Sequence, residues 1–153
     1  MNAIWKVWAI GAVLVAAMLG PTATGWSAGQ QAALMTTIMQ GVGDEEKAKL
    51  TAHLWEALGE YHPLLPAEQV GPAEQRALAA GCEEDACLES VRQDLGVPLV
   101  YRLRHVDEGY FNHLYMTRAT GNGIEHKDYI CSRCSYKEYT VILDRLLRHM
   151  HHK

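Results

Sequence analysis

The chain has 153 residues, 48% of them hydrophobic, which is enough for one domain with its own core plus a targeting segment. Its formal charge of -4 is small and its 14 lysines and arginines are scattered, which excludes the basic stripe of a nucleic-acid binder. No Gly-rich phosphate loop, nucleophile elbow or His-Glu-x-x-His helix is present, so nothing in the sequence points to an enzyme or a cofactor.

The start of the chain reads as a secretory signal. Met1–Lys6 carries one positive charge, Val7–Leu19 is continuously apolar, and Pro21-Thr22-Ala23-Thr24-Gly25 adds a breaker and small residues. The apolar run, about 13 residues, falls short of the roughly 20 that span a bilayer as a helix. The expectation is a signal peptide over residues 1–25, cleaved after Gly25, and a periplasmic protein; the alternative is an uncleaved inner-membrane anchor facing the periplasm. In the anchored case the N-terminal segment is the sole membrane contact. No cysteine follows the apolar run, so the lipid-attachment signal of a bacterial lipoprotein is missing.

A single α/β domain is expected over residues 30–150, with 151–153 as a tail. The apolar run Ala32–Met39, bounded by Gly41 and Gly43, reads as a first strand. Asp44 is the expected cap of a helix carrying Leu50, Leu54 and Leu58 up to Gly59. Tyr61–Val70 holds two prolines and is expected to be a short or edge strand, after which Pro72 opens a small Ala-rich helix closed by Gly81.

Asp85 is then the expected cap of a helix with Leu88, Val91 and Leu95 on one face and Gly96 at its end. Val97, Leu99, Tyr101 and Leu103 alternate with Val100, Arg102 and Arg104 in a strand, and Asp107-Glu108-Gly109 turns the chain back into a second strand from Tyr110. Gly121-Asn122-Gly123 ends that hairpin, and Ile124–Ile130 reads as a last strand. Ser135-Tyr136-Lys137-Glu138 fits a capping box for a final helix whose stripe is Tyr139, Ile142, Leu143, Leu146, Leu147 and Met150. The order strand, helix, strand, helix, helix, hairpin, helix predicts helices packed on a mixed sheet.

Export bears on the four cysteines, because thiols in an oxidising compartment tend to pair. Three pairings are possible; proximity favours Cys82–Cys87 with Cys131–Cys134, and a cross-linked pairing stays open. Two chemical alternatives compete with structural disulfides. Cys131-Ser132-Arg133-Cys134 just ahead of a helix suggests a thiol–disulfide oxidoreductase, and two close pairs brought together suggest a tetrahedral zinc site. Structural disulfides are the simpler expectation, with no metal site and no catalytic residue assigned. His149, His151 and His152 read as a frayed end, and His105 and His113 as residues of a sheet face.

One constellation resembles a known family. Gly81-Cys82, three residues, Ala86-Cys87-Leu88, then Leu95-Gly96-Val97, a strand and the hairpin return Tyr110–Ala119 resemble the domain found at the amino terminus of TolB, in the curli-secretion protein CsgG and in lipoprotein activators of penicillin-binding proteins. The resemblance spans Ala32 to Leu147. It implies a non-catalytic envelope adaptor that binds another envelope protein or a cell-wall component. The chain departs from CsgG in lacking a lipidation cysteine and room for a pore, and from TolB in lacking a propeller. Arg102, Arg104, Tyr110 and Tyr115, on the hairpin, are the candidate partner-binding residues.

Overall fold

The computed structural model describes residues 30–152; the expected signal peptide, residues 1–25, lies outside them. The elements are β1 (Ala32–Leu34), β2 (Ile38–Gln40), α1 (Asp44–Gly59), α2 (Ala67–Ala79), α3 (Glu84–Leu95), β3 (Leu99–Asp107), β4 (Phe111–Thr120), β5 (Gly123–Ser132) and α4 (Tyr136–His151). They form a mixed sheet in the order β1-β3-β4-β5, with β2 also paired to β3. Both short strands run parallel to β3, and the β3–β4–β5 meander is antiparallel. This is the expected α/β class, with helices on both faces of a mixed sheet.

Local departures from the sequence reading have local causes. The single strand expected over Ala32–Met39 is split, because the Thr36 amide turns out of the ladder and donates to the Glu74 carboxylate of α2 at 3.1 Å. No strand forms over Tyr61–Val70. Only a bridge between Ala32 and Leu64 is made there, where Ala32 donates to the Pro63 carbonyl at 3.0 Å. Pro66 ends that stretch with a φ of -56°, suited to a helix start, so α2 begins ahead of Pro72 and holds it inside. Gly43 and Glu83, in extended backbone, take the cap positions expected of Asp44 and Asp85, and those acids fall in the first turns, where a carboxylate favours the helix dipole.

Side-chain alternation in the meander divides the interior in two. Leu99, Tyr101 and Leu103 of β3 with Leu114 and Met116 of β4 face α1 and α4, whose Leu50, Leu54, Leu58, Leu143 and Leu147 are fully buried against them. On the other face Val100 and Ala119 pack with Ala33 under Val70, Leu88 and Val91 of α2 and α3. Gly96 closes α3 at φ 63°, and Val97 returns its amide to the Arg92 carbonyl at 3.3 Å. Gly41 is needed for space as well as for its φ of 77°, since a Cβ there would lie 2.7 Å from the Asp107 carbonyl oxygen. In α4 the Ser135 hydroxyl oxygen accepts from the Glu138 amide and the Glu138 carboxylate accepts from the Ser135 amide at 2.7 Å, the two halves of a capping box; the same carboxylate also accepts from the Ser135 hydroxyl at 2.8 Å. The helix continues through His151, beyond the boundary at which a tail was expected.

Candidate functional site

An open apolar surface lies on the α2/α3 side of the sheet, across β2, β4 and β5. Register brings Arg104 opposite Tyr115 and Val106 opposite His113, and Tyr115 and His113 lie opposite Asp128 and Ile130 of β5. Side chains at alternate positions share a face, so these join Ile38 of β2 and Phe111 of β4 in one patch. Ile38 is 39% exposed, Tyr115 38%, Phe111 46% and Ile130 54%. Large apolar side chains left partly exposed together on a sheet face mark a surface suited to a partner.

Two arginines border the patch, each set over a tyrosine. The Arg104 guanidinium lies 6.0 Å from the Tyr115 ring centroid, and that of Arg133 lies 5.0 Å from the Tyr110 centroid. The Tyr110 and Phe111 rings meet edge to face at 4.8 Å, and His113 Nδ1 is 3.1 Å from the Tyr115 hydroxyl. Stacked rings and bonded hydroxyls lose less rotamer freedom on binding, as suits a contact surface.

Of the residues nominated from sequence, Arg104, Tyr110 and Tyr115 fall on or beside the patch. Arg102 shares their face but turns inward beneath α3, with its side chain 13% exposed and 3.5 Å from Asp85. That placement corrects its reading as a surface residue. Phe111, Ile38 and Ile130 were missed. For Phe111 a signal existed, since positions 111, 113 and 115 share strand parity. His105 and His113, expected at a sheet face, lie on opposite faces: His113 on that of the patch, and His105, only 1% exposed, on that of the α1/α4 core, where it bonds Asn112 at 3.0 Å.

A second concave region lies at the far end of the α1/α4 side, a crevice of about 580 Å³ whose walls include His62, Arg118, Glu125 and His151. His151, read as part of a frayed end, is built into it. Its ring stacks on Tyr61 at 4.1 Å, and the Tyr101 hydroxyl lies 3.0 Å from His62 Nε2 and 3.4 Å from His151 Nε2. Burial, then the neighbouring His62 and Arg118, pulls the His151 pKa down to about 4, and burial also lowers that of His62. Two imidazoles packed on tyrosines serve to pin helix ends.

Both cysteine pairs are bonded at close range, Cys82 to Cys87 and Cys131 to Cys134, with Cα separations of 5.1 and 5.9 Å. They pack against opposite faces of the sheet, the first with the α2/α3 core and the second with the α1/α4 core. One tetrahedral zinc site using all four is therefore ruled out geometrically, as is the cross-linked pairing. Among the described residues no cluster of three or more His, Cys, Asp or Glu side chains is placed to hold a metal ion. No helix among them is long and apolar enough to cross a membrane.

No family model and no curated protein matches the chain. Solved structures do. The LpoB C-terminal domain from Escherichia coli superposes with a TM-score of 0.51 at 18% identity, over 72% of this chain and 88% of that one. The chain shares the fold of that domain. Also similar are the LpoB C-terminal domain from Salmonella enterica (TM-score 0.47, 14% identity, 69% of this chain and 84% of that one) and lipoprotein GNA1162 from Neisseria meningitidis (TM-score 0.42, 12% identity, 79% and 96%). Neither TolB nor CsgG is among these three. The shared fold lends no support to thiol–disulfide exchange by Cys131 and Cys134.

Proposed function

We propose that this is a non-catalytic adaptor domain of the bacterial envelope, which binds another envelope protein through the open end of its sheet. The observation that carries the reading is the patch of Ile38, Phe111, Tyr115 and Ile130, bordered by Arg104 over Tyr115 and Arg133 over Tyr110. Rings and guanidinium groups are the side chains that most often dominate binding energy at protein interfaces. The fold shared with the LpoB C-terminal domain supports an envelope role, as does the sequence resemblance to activators of penicillin-binding proteins. The leader over residues 1–25 supports export to the periplasm. Through this patch the domain docks on its partner and acts by contact alone; the disulfides hold the scaffold.

The test is site-specific photo-cross-linking in the source cell, with a photoreactive residue at Tyr115 or at the exposed Gln69 of α2 as a control. The expected result is one discrete adduct from Tyr115, identified by mass spectrometry as an envelope protein, absent from the control and lost when Arg104→Glu is added. No adduct from Tyr115, or the same adducts from both positions, would remove the patch from consideration.

A further inference from the structure

The outer edge of β5 is a second surface, which adjoins the patch and shares Ile130 with it. Among the described residues β5 pairs only with β4, and all ten residues from Gly123 to Ser132 are in register with it, with no bulge. A long, regular edge leaves a row of backbone donors and acceptors able to pair with another strand. Apolar groups line it on both sides. Ile130, 54% exposed, stands on one face, and Val141 of α4, 48% exposed, flanks the other above a groove of about 270 Å³ that Tyr129 also lines.

The sequence of that edge is nearly its own antiparallel complement. Ile124-Glu125-His126-Lys127-Asp128-Tyr129-Ile130, laid against a reversed copy about Lys127, sets Ile124 opposite Ile130 and His126 opposite Asp128, twice each by symmetry. The same register puts Glu125 opposite Tyr129. It brings the two Lys127 side chains together on the axis, each diagonal to Glu125 of the other chain. Shifting the axis by one residue, to His126, sets Ile124 against Asp128 and so loses both complementary pairs.

We infer that β5 pairs with β5 of a second copy of this chain, antiparallel and centred on Lys127, to form a two-fold dimer with one continuous sheet. His126, which lies 3.3 Å from Asp85 in its own chain, gains the carboxylate of the second copy's Asp128, while Ile124 and Ile130 cover each other across the junction. The rest of the patch, Ile38, Phe111 and Tyr115, opens on a sheet face away from the junction, so the dimer presents two such surfaces on the same side.

Sedimentation equilibrium of the purified chain over a range of concentrations tests the association, and a cysteine at the axis tests the register. The expected results are reversible doubling of mass and, after mild oxidation, a covalent dimer from Lys127→Cys but not from Asp128→Cys, because residue 127 alone meets itself. Asp128→Lys, which removes the carboxylate facing His126 at two places, should weaken association about tenfold, and exchanging the residues in His126→Asp/Asp128→His should restore it. Circular dichroism of each variant separates misfolding from lost pairing. A mass of one chain at every concentration overturns the inference, and so does a dimer in which Lys127→Cys, correctly folded, fails to cross-link.

Discussion

His151 stacks on Tyr61 with ring centroids 4.1 Å apart and planes within 7°, so the last turn of α4 is fastened to the residue just beyond α1. His62 stands 4.8 Å from the same imidazole and the Tyr101 hydroxyl lies 3.4 Å from its Nε2, which ties both helix ends to β3. Positive charge on His151 would face Arg118 and His62 across this cluster.

Stability should therefore fall with acid in a defined window. The His151 pKa is lowered from 6.5 to about 4, so between those values the unfolded chain binds more protons than the folded one, and stability rises with pH. The contribution is complete above the unfolded value and is lost as pH falls toward the folded one. After discounting for the solvent that reaches this half-buried ring, it amounts to about 1 kcal/mol. Thermal midpoints measured from pH 7 to pH 4 should drop by several degrees, and less steeply in His151→Phe, which keeps the stack on Tyr61. An unchanged slope in the variant would clear His151 of the effect.

Leu143 is fully buried between α4 and the sheet, in the α1/α4 core. Leu143→Asp should cost about 3 kcal/mol or more, enough to unfold a domain of marginal stability. Val141→Asp, two residues earlier on the exposed side of the same helix, should shift the midpoint little. Urea denaturation of the pair checks both, and equal stability would mean that α4 packs on another face.

Arg104 and Tyr115 contribute to the surface more than to the core. Tyr115→Ala should lower partner affinity at least about tenfold, as loss of an interface aromatic does, while leaving the thermal midpoint within about 2 °C. Arg104→Lys, which keeps the charge but loses the planar group over the ring, should fall between Tyr115→Ala and the unaltered chain. Titration against the cross-linked partner, once identified, measures this; equal affinity for all three would place the contact elsewhere.

The Cys82–Cys87 bond joins the loop after α2 to the first turn of α3, where Cys87 is 2% exposed. It closes a short loop, so replacing both residues by alanine should cost about 2 kcal/mol through freedom regained by the unfolded chain. Treating a Cys131→Ala/Cys134→Ala variant with reductant, which leaves only the Cys82–Cys87 bond to open, should reproduce that loss. A double variant as stable as the parent in oxidising buffer would show that the bond adds nothing to the packing around Leu88.

Much of the fold follows from the sequence because its determinants are local. The stripe from Tyr139 to Met150, the Ser135–Glu138 cap, Gly96 at the end of α3 and the alternation in β3 each depend on neighbours within a few residues. Proximity likewise pointed to the observed disulfides. Other features rest on contacts between distant segments. Glu74 captures the Thr36 amide and divides the first strand, and Arg102 turns inward because α3 brings Asp85 to it. His151 is ordered by Tyr61, which lies 90 positions earlier in the chain numbering and whose approach no spacing reveals.

The patch proposed for binding draws on both levels. Strand parity already placed Arg104 and Arg102 on one face, and Tyr115 with Phe111 on one face of the next strand. Which of those faces is covered, and how far, depends on where α2 and α3 end over the sheet, and that is set by packing of Leu88 and Val91 on Val100. The sequence by itself determined most of the elements and their faces, because these follow from periodicity, and it favoured the close disulfide pairs while leaving a cross-linked pairing open. Only the tertiary structure decided which end of the sheet stays open and which strand is left as its edge, because both depend on how the completed helices and strands share out a limited apolar surface.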